Sequence, residues 1–380
     1  MKPCSTDTTA PIRVCIQALL LSAGVLTFTP ARGGQPVPSE GIRIDSGDAL
    51  RTADAVLNPT LTREEALEIA DLPANQGLIE QAREFGTGDT RETFADKLLA
   101  EARGQGQETV FNFDEVRRQV GAVRIAVRTV QANPAALTDW IAERIAPFAP
   151  EGVPIAGVGY LQAGGPGGGF SNEGRVYVNL ARSNGEMGVV RVTLAHEIYH
   201  GIQHAAEVAA GTQAEFDYDP QAYAALPSAL SRSCYATRRL FGSLMKEATA
   251  SYVGDVNLLP TSGAEALSER KQRDYSVTGR VTTPITLLEI GVAALTSGDP
   301  VPEKQVYRIG FQQAGQLYYD IGYVMAKAIA NHDGDAALGR LVVQPGDAFV
   351  RRYVAITLEP GSTLPKLGPN TVRWANRAGC

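Results

Sequence analysis

The stretch HEIYHGIQH, residues 196–204, holds three of the chain's four histidines, His196, His200 and His204, at intervals of four. On an α-helix, residues four apart are rotated by about 40° and shifted by about 6 Å along the axis. Two imidazoles can lean together across that gap and meet one ion at about 2.0–2.1 Å. His196 and His200 satisfy this, and Glu197 falls on the same side, within reach of a water at that ion. His204 stands about 80° around and 12 Å along from His196, so it cannot share their ion unless the helix breaks. Leu194, Ala195, Ile198, Ile202, Ala205 and Ala209 form an apolar arc on the other side, as a core-facing helix requires. A solvated polar face that happens to carry histidines is the competing reading. A chain with so few histidines rarely produces this pattern by accident.

Working outward, the helix follows Asn184-Gly185 and stops at Gly211, a residue suited to a C-terminal cap. Before it, VPIAGVGYLQAG (153–164) and RVYVNLA (175–181) read as β-strands around the loop GGPGGGFSNEG (164–174). No Lys-Ser or Lys-Thr follows these glycines, so a mobile loop is expected there rather than a phosphate cradle. Residues 43–150 read as a helical N-terminal region. Thr62 with Glu65 three residues on makes a capping-box start, and DEVRRQVGAVRIAVRTV (114–130) and LTDWIAERIAPF (137–148) carry apolar residues at helical spacing. RRLFGSLMKEATASYVGDV (238–256) and GFQQAGQLYYDIGYVMAKAIA (310–330) are further helices, with 260–310 expected to be loop-rich. The expected fold class is α+β, mainly helical, with a small sheet and helical flanks.

Of the 380 residues, 44% are apolar and 20% charged, enough to bury a sizeable core. A formal charge of −6 without a basic run argues against a nucleic-acid partner. Lys2 and Arg13 precede an apolar run, Val14 to Phe28, and small residues follow at Thr29 and Ala31. Residues 1–31 therefore read as a signal peptide and 32–42 as a flexible leader. The run is shorter than the roughly 20 residues a membrane span needs, so no stable span is expected after cleavage. Export, to a periplasm or the extracellular space, is the expectation, with a retained N-terminal anchor as the competing reading. Two of the four cysteines, Cys234 and Cys380, would remain after cleavage. In an oxidising compartment they can form a disulfide, against the alternative of two free thiols. Nothing in the sequence speaks to oligomeric state.

A catalytic zinc takes three protein ligands and leaves a place for water. The three-histidine design needs Gly at 203 and His at 206, where this chain has Gln203 and Ala206. The helix with KEATASY (246–252) offers Glu247 followed by a run of small side chains that permits close approach. Here the chain resembles the gluzincin branch of the zinc metallopeptidases, whose H-E-x-x-H is followed on a later helix by E-G-x-A-x-Y or similar. The resemblance covers a zincin-like catalytic region, 151–335, with 336–380 as C-terminal helical pieces and tail. It implies a Zn2+ cofactor held by His196, His200 and Glu247, with Glu197 as general base in the hydrolysis of a peptide or protein substrate by a zinc-activated water. It further implies that RVYVNLA is the strand that binds extended substrate. Tyr319, ahead of Gly322 in YYDIGYVMAKAI, matches the Tyr-x-x-Gly helix of several secreted zinc proteases. Tyr319 or Tyr323 is thereby a candidate oxyanion donor, against ordinary core packing. The chain departs from the pattern at Ala248, where Gly is usual, and has no acidic residue four after Glu247 to orient the histidines. A non-catalytic metal-binding or partner-binding protein on the same scaffold is the alternative function.

Overall fold

The computed structural model describes residues 41–84, 86–172, 174–212, 219–297, 306 and 317–377. The expected signal peptide, nearly all of the leader, and Cys380 lie outside the described residues. The fold is mainly helical with one small mixed sheet, as its composition and periodicities imply.

The sheet has four strands in the order β1-β2-β4-β3. They are β1 (Ile42–Asp45), β2 (Gly157–Gln162), β3 (Gly169–Asn172) and β4 (Arg175–Asn179). β1 and β4 run parallel to β2, and β3 closes an antiparallel hairpin on β4. Two expectations change here. Residues 42–45 open what reads as a helical region, yet Ile42 to Asp45 pair with Gly157 to Tyr160. RVYVNLA lies between two neighbours, so its backbone groups are committed on both sides and it has no free edge. The edge strands are β1 and β3, and β3, drawn from the end of the glycine-rich loop, is the edge next to β4.

That loop is also pinned. Asn179 donates through Nδ2 to the Gly165 and Gly167 carbonyls at 3.2 and 3.3 Å. Its Oδ1 accepts from the amides of Ala181 and Arg182. Asn112 donates to the Gly165 carbonyl at 2.9 Å, and the Gly165 amide donates to Phe111. Most of 163–170 is buried, which the buried backbone can tolerate because these groups are paired.

Helices α1 (Gly47–Val56), α2 (Arg63–Ala70), α3 (Pro73–Glu84), α4 (Arg91–Ala102), α5 (Phe113–Ala132) and α6 (Pro134–Ile145) precede β2. The capping box of α2 forms as expected, Thr62 and Glu65 bonding each other's backbone amides. α1 and α3 cover one face of the sheet, where Tyr160, Tyr177 and Phe170 stack, and α7 (Met187–Ala210) covers the other. Beyond α8 (Pro220–Ala225) come α9 (Ala229–Val253), α10 (Ala264–Gln272) and α11 (Thr278–Leu295). The last two occupy a stretch expected to be loop-rich. α11 tolerates Pro284 inside it and a Thr-rich start, which hide a helix from propensity alone. α12 (Leu317–Asp333), α13 (Ala336–Val342), α14 (Gly346–Thr357) and α15 (Pro369–Ala375) are the last helices among the described residues. One apolar cluster runs from Ala49 to Ala375, so the N-terminal helices and the metal-motif helix share a single core.

Candidate metal centre

α7 carries HEIYH through the middle of the molecule and ends, as expected, at Gly211 with φ of 68°. Ile198 and Leu194 are fully buried, and Tyr199 anchors the helix by donating to the Phe148 carbonyl at 2.9 Å. α9 crosses it, and α12 packs against α9. The histidine side of α7 is therefore covered by a second helix rather than left as a solvated polar face, and a cleft opens beside it. His196, Glu197, Thr193, Asn179, Arg273 and Tyr319 are among the residues lining that cleft.

The two imidazoles converge, His196 Nε2 lying 3.1 Å from His200 Nε2. Glu247 Oε2 lies 3.6 Å from each of them. That oxygen is buried without a hydrogen-bond partner among the described residues. Around a tetrahedral ion with bonds of about 2.0–2.1 Å, donor atoms stand about 3.3–3.4 Å apart. The observed triangle matches, and an otherwise orphaned carboxylate oxygen gains a reason to be there. Donor atoms of His196, Glu197 and His200 also fall within 4.8 Å of one another, a looser set than the one with Glu247. Among the described residues, His204 is not part of this cluster.

The close approach of α9 depends on small residues on both sides. A Cβ on Gly322 of α12 would stand 2.9 Å from Ala248 Cβ and 3.0 Å from Ala248 Cα. A glycine on the facing helix thus makes room for Ala248, the position at which the gluzincin pattern has Gly. On the sheet side, a Cβ at Gly169 would stand 2.9 Å from the Thr193 methyl and 3.2 Å from Glu197 Cγ. β3 can therefore lie directly against Glu197.

The residue that orients His200 is Gln203, which belongs to no motif in the sequence. Its Nε2 donates to the Lys246 carbonyl at 2.9 Å and to Thr249 Oγ1 at 2.7 Å. With the amide fixed that way, Oε1 accepts from His200 Nδ1 at 2.8 Å. The Nδ1–H tautomer leaves the Nε2 lone pair turned toward His196 and Glu247. An i, i+3 spacing from His200 on the same helix was the available signal. The Lys246 side chain also pairs with buried Glu207 at 2.9 Å, a second tie between α7 and α9.

Burial and mutual charge set the protonation of this cluster. Burial opposes charge on Glu247, but the charge of His200 and the nearness of both imidazoles outweigh it and hold the carboxyl down at about 2. Burial likewise lowers His196, to about 4, while the Glu247 carboxylate overcomes burial at His200 and lifts it to about 9. Glu197 is pushed up to about 8, chiefly by burial, with His200 opposing and Glu247 adding. A carboxyl raised in this way is the kind of group suited to proton transfer near neutral pH.

Tyr319 and Tyr323 separate. The Tyr319 ring centroid lies 6.1 Å from that of His196, at the cleft wall. Tyr323 instead donates to Asp255 Oδ1 at 2.9 Å and accepts from Asn257 at 2.6 Å. Cys234, on α9, is disulfide-bonded, and its partner lies outside the described residues.

A family model described as "Putative zinc dependent peptidase (DUF5700)" matches residues 67–359. The chain belongs to this family. The matched DUF5700 span contains both histidines, Glu197, Glu247 and Tyr319, and runs from α2 through α14. No match was found among curated proteins or solved structures. No described helix is long and apolar enough to cross a membrane.

Proposed function

We propose that this chain is an exported zinc-dependent peptidase of the gluzincin arrangement, with His196, His200 and Glu247 as ligands and Glu197 as general base. The observation that carries the reading is the buried Glu247 oxygen, equidistant at 3.6 Å from two imidazole nitrogens. When bound, zinc polarises a carbonyl and lowers the pKa of water at its open position. The rest is the work of the chain. Glu197, held against β3, takes a proton from the attacking water and passes it to the departing amine. Tyr319 offers its hydroxyl to the negative charge that develops on the carbonyl oxygen. The open edge of β3 can pair with an extended peptide, aligning it along the cleft. The leader pattern in residues 1–31 supports export, and a disulfide at Cys234 suits an oxidising compartment.

The non-catalytic alternative drew on two features, Ala248 and the missing acidic partner for the histidines. Gly322 and Gln203 account for both, and neither now favours a pseudo-enzyme. The test is cleavage of a quenched-peptide library with and without chelator, beside the Glu197→Gln variant. Stoichiometric zinc in both proteins, with turnover only in the parent, is the expected result. A fully active Glu197→Gln protein overturns the assignment of the base, and zinc-free, inactive parent protein overturns the whole reading.

A further inference from the structure

Arg273 follows the last residue of α10 and lines the same cleft as His196 and Glu197. Its side chain is only 10% exposed. Its guanidinium carbon lies 5.9 Å from the centroid of the Tyr319 ring, which in turn lies 6.1 Å from His196. Guanidinium, phenol and metal-side imidazole thus form one wall. Among the described residues the ion partner of Arg273 is Glu269, with Nε to Oε2 at 3.6 Å, outside hydrogen-bond range. A buried cation is costly unless its donors are engaged, and a purely structural arginine is normally gripped more closely than this. Glu265, Glu269 and Arg182 also line the cleft, but Arg182 is turned to Glu115 at 3.4 Å. Among the described residues Arg273 is therefore the cleft cation without a side-chain hydrogen bond, with Glu269 and Asp320 near enough only for their charges to act on it.

We propose that Arg273 anchors a carboxylate of the peptide substrate. A planar guanidinium matches a two-oxygen anion in a paired hydrogen bond, and carboxylates are the anions an unmodified peptide carries. The carboxylate comes from one of two sources, the free C-terminus or an acidic side chain near the scissile bond. Both belong to the same chemistry and separate by experiment. The inference rests on the peptidase reading for its location but not for its test.

Two peptide pairs decide it: a free C-terminal acid against its amide, and Glu against Gln at the residue after the scissile bond. Turnover is measured on zinc-loaded parent, Arg273→Gln and Arg273→Lys proteins. Equilibrium binding of the same peptides is measured on Glu197→Gln protein with and without Arg273→Gln. In the parent, one pair shows a preference of about tenfold or more for the carboxylate, expressed in KM and in binding. Arg273→Gln erases it and Arg273→Lys keeps part of it, with zinc content and helicity unchanged. The pair that responds identifies the source. Equal handling of both members in each pair overturns the proposal, as does a preference that survives Arg273→Gln. A loss of kcat common to all peptides, with binding intact, also overturns it and makes Arg273 an oxyanion donor. Failure of the peptidase reading looks different, namely no turnover of any peptide while the acid–amide difference in binding persists.

Discussion

Gly322→Ala tests whether the metal site depends on the fit between two helices. The added methyl carbon would stand 2.9 Å from Ala248 Cβ and 3.0 Å from Ala248 Cα. Carbon atoms at ease stand about 3.5–4.0 Å apart, so α12 must back away from α9 by about 0.5–1 Å. Overpacking of that kind costs about 1–3 kcal/mol. The shift falls on the residue after Glu247, so zinc affinity should drop together with stability. Ala248→Gly removes one of the two clashing atoms, at a helix-propensity cost of about 1 kcal/mol on its own. The double variant should therefore lose less than the sum of the two single variants, with a coupling of about 0.5–2 kcal/mol. Urea unfolding of the chelated proteins gives the stabilities, and competition against a chromophoric chelator gives zinc affinity. Strictly additive losses, or a Gly322→Ala protein with parental zinc affinity, would refute the reasoning that these helices set the position of Glu247.

Three further outcomes are expected. Gln203→Ala frees His200 to change tautomer and should weaken zinc binding about 10- to 100-fold, read by the same competition assay; unchanged affinity would remove Gln203 from its orienting role. Asp320 is buried, and although Arg273 and Arg280 pull the other way, burial lifts its carboxyl to about 7. Between about pH 4 and pH 7 the unfolded chain has released this proton and the folded one has not, so stability falls as pH rises through that window. Asp320→Asn should flatten that fall and gain about 1–4 kcal/mol above pH 7, measured by denaturation across pH, whereas parallel curves would contradict it. Asn179→Ala removes four hydrogen bonds, two to the glycine-rich loop and two to the turn at Ala181 and Arg182. A loss of about 2–3 kcal/mol is expected, with faster amide exchange across 164–168; protection at the parental level would mean the loop is held by something else.

The metal helix was readable because its information is local: a four-residue interval, a stop glycine and an apolar arc all lie within one segment. Glu247 was reachable as a candidate because the gluzincin resemblance points to a carboxylate on a later helix, and Ala248 to Ser251 are small enough to let that helix come close. What stayed hidden was relational. Gly322 explains Ala248 only once α12 and α9 are seen to touch, 74 positions apart in sequence number. The exchange of β3 for β4 at the sheet edge follows from pairing, which strand propensity does not encode. Gln203 was visible on the histidine side of α7, but its role depends on Lys246 and Thr249 of another helix. α11 was missed for the opposite reason, since its local sequence argues against the helix that packing against α12 sustains.

β1 has a consequence for the solution behaviour of the protein. It is four residues long, with Arg43 and Asp45 exposed, and it covers the flank of β2. Short, charged outer strands are how natural sheets discourage one molecule from adding onto the next. Trimming the chain to begin at Gly47 would strip that guard and bare the backbone of β2. A protein shortened in this way should keep the HEIYH helix yet tend to stack through β2, so β1 acts as a solubility device as much as a part of the sheet.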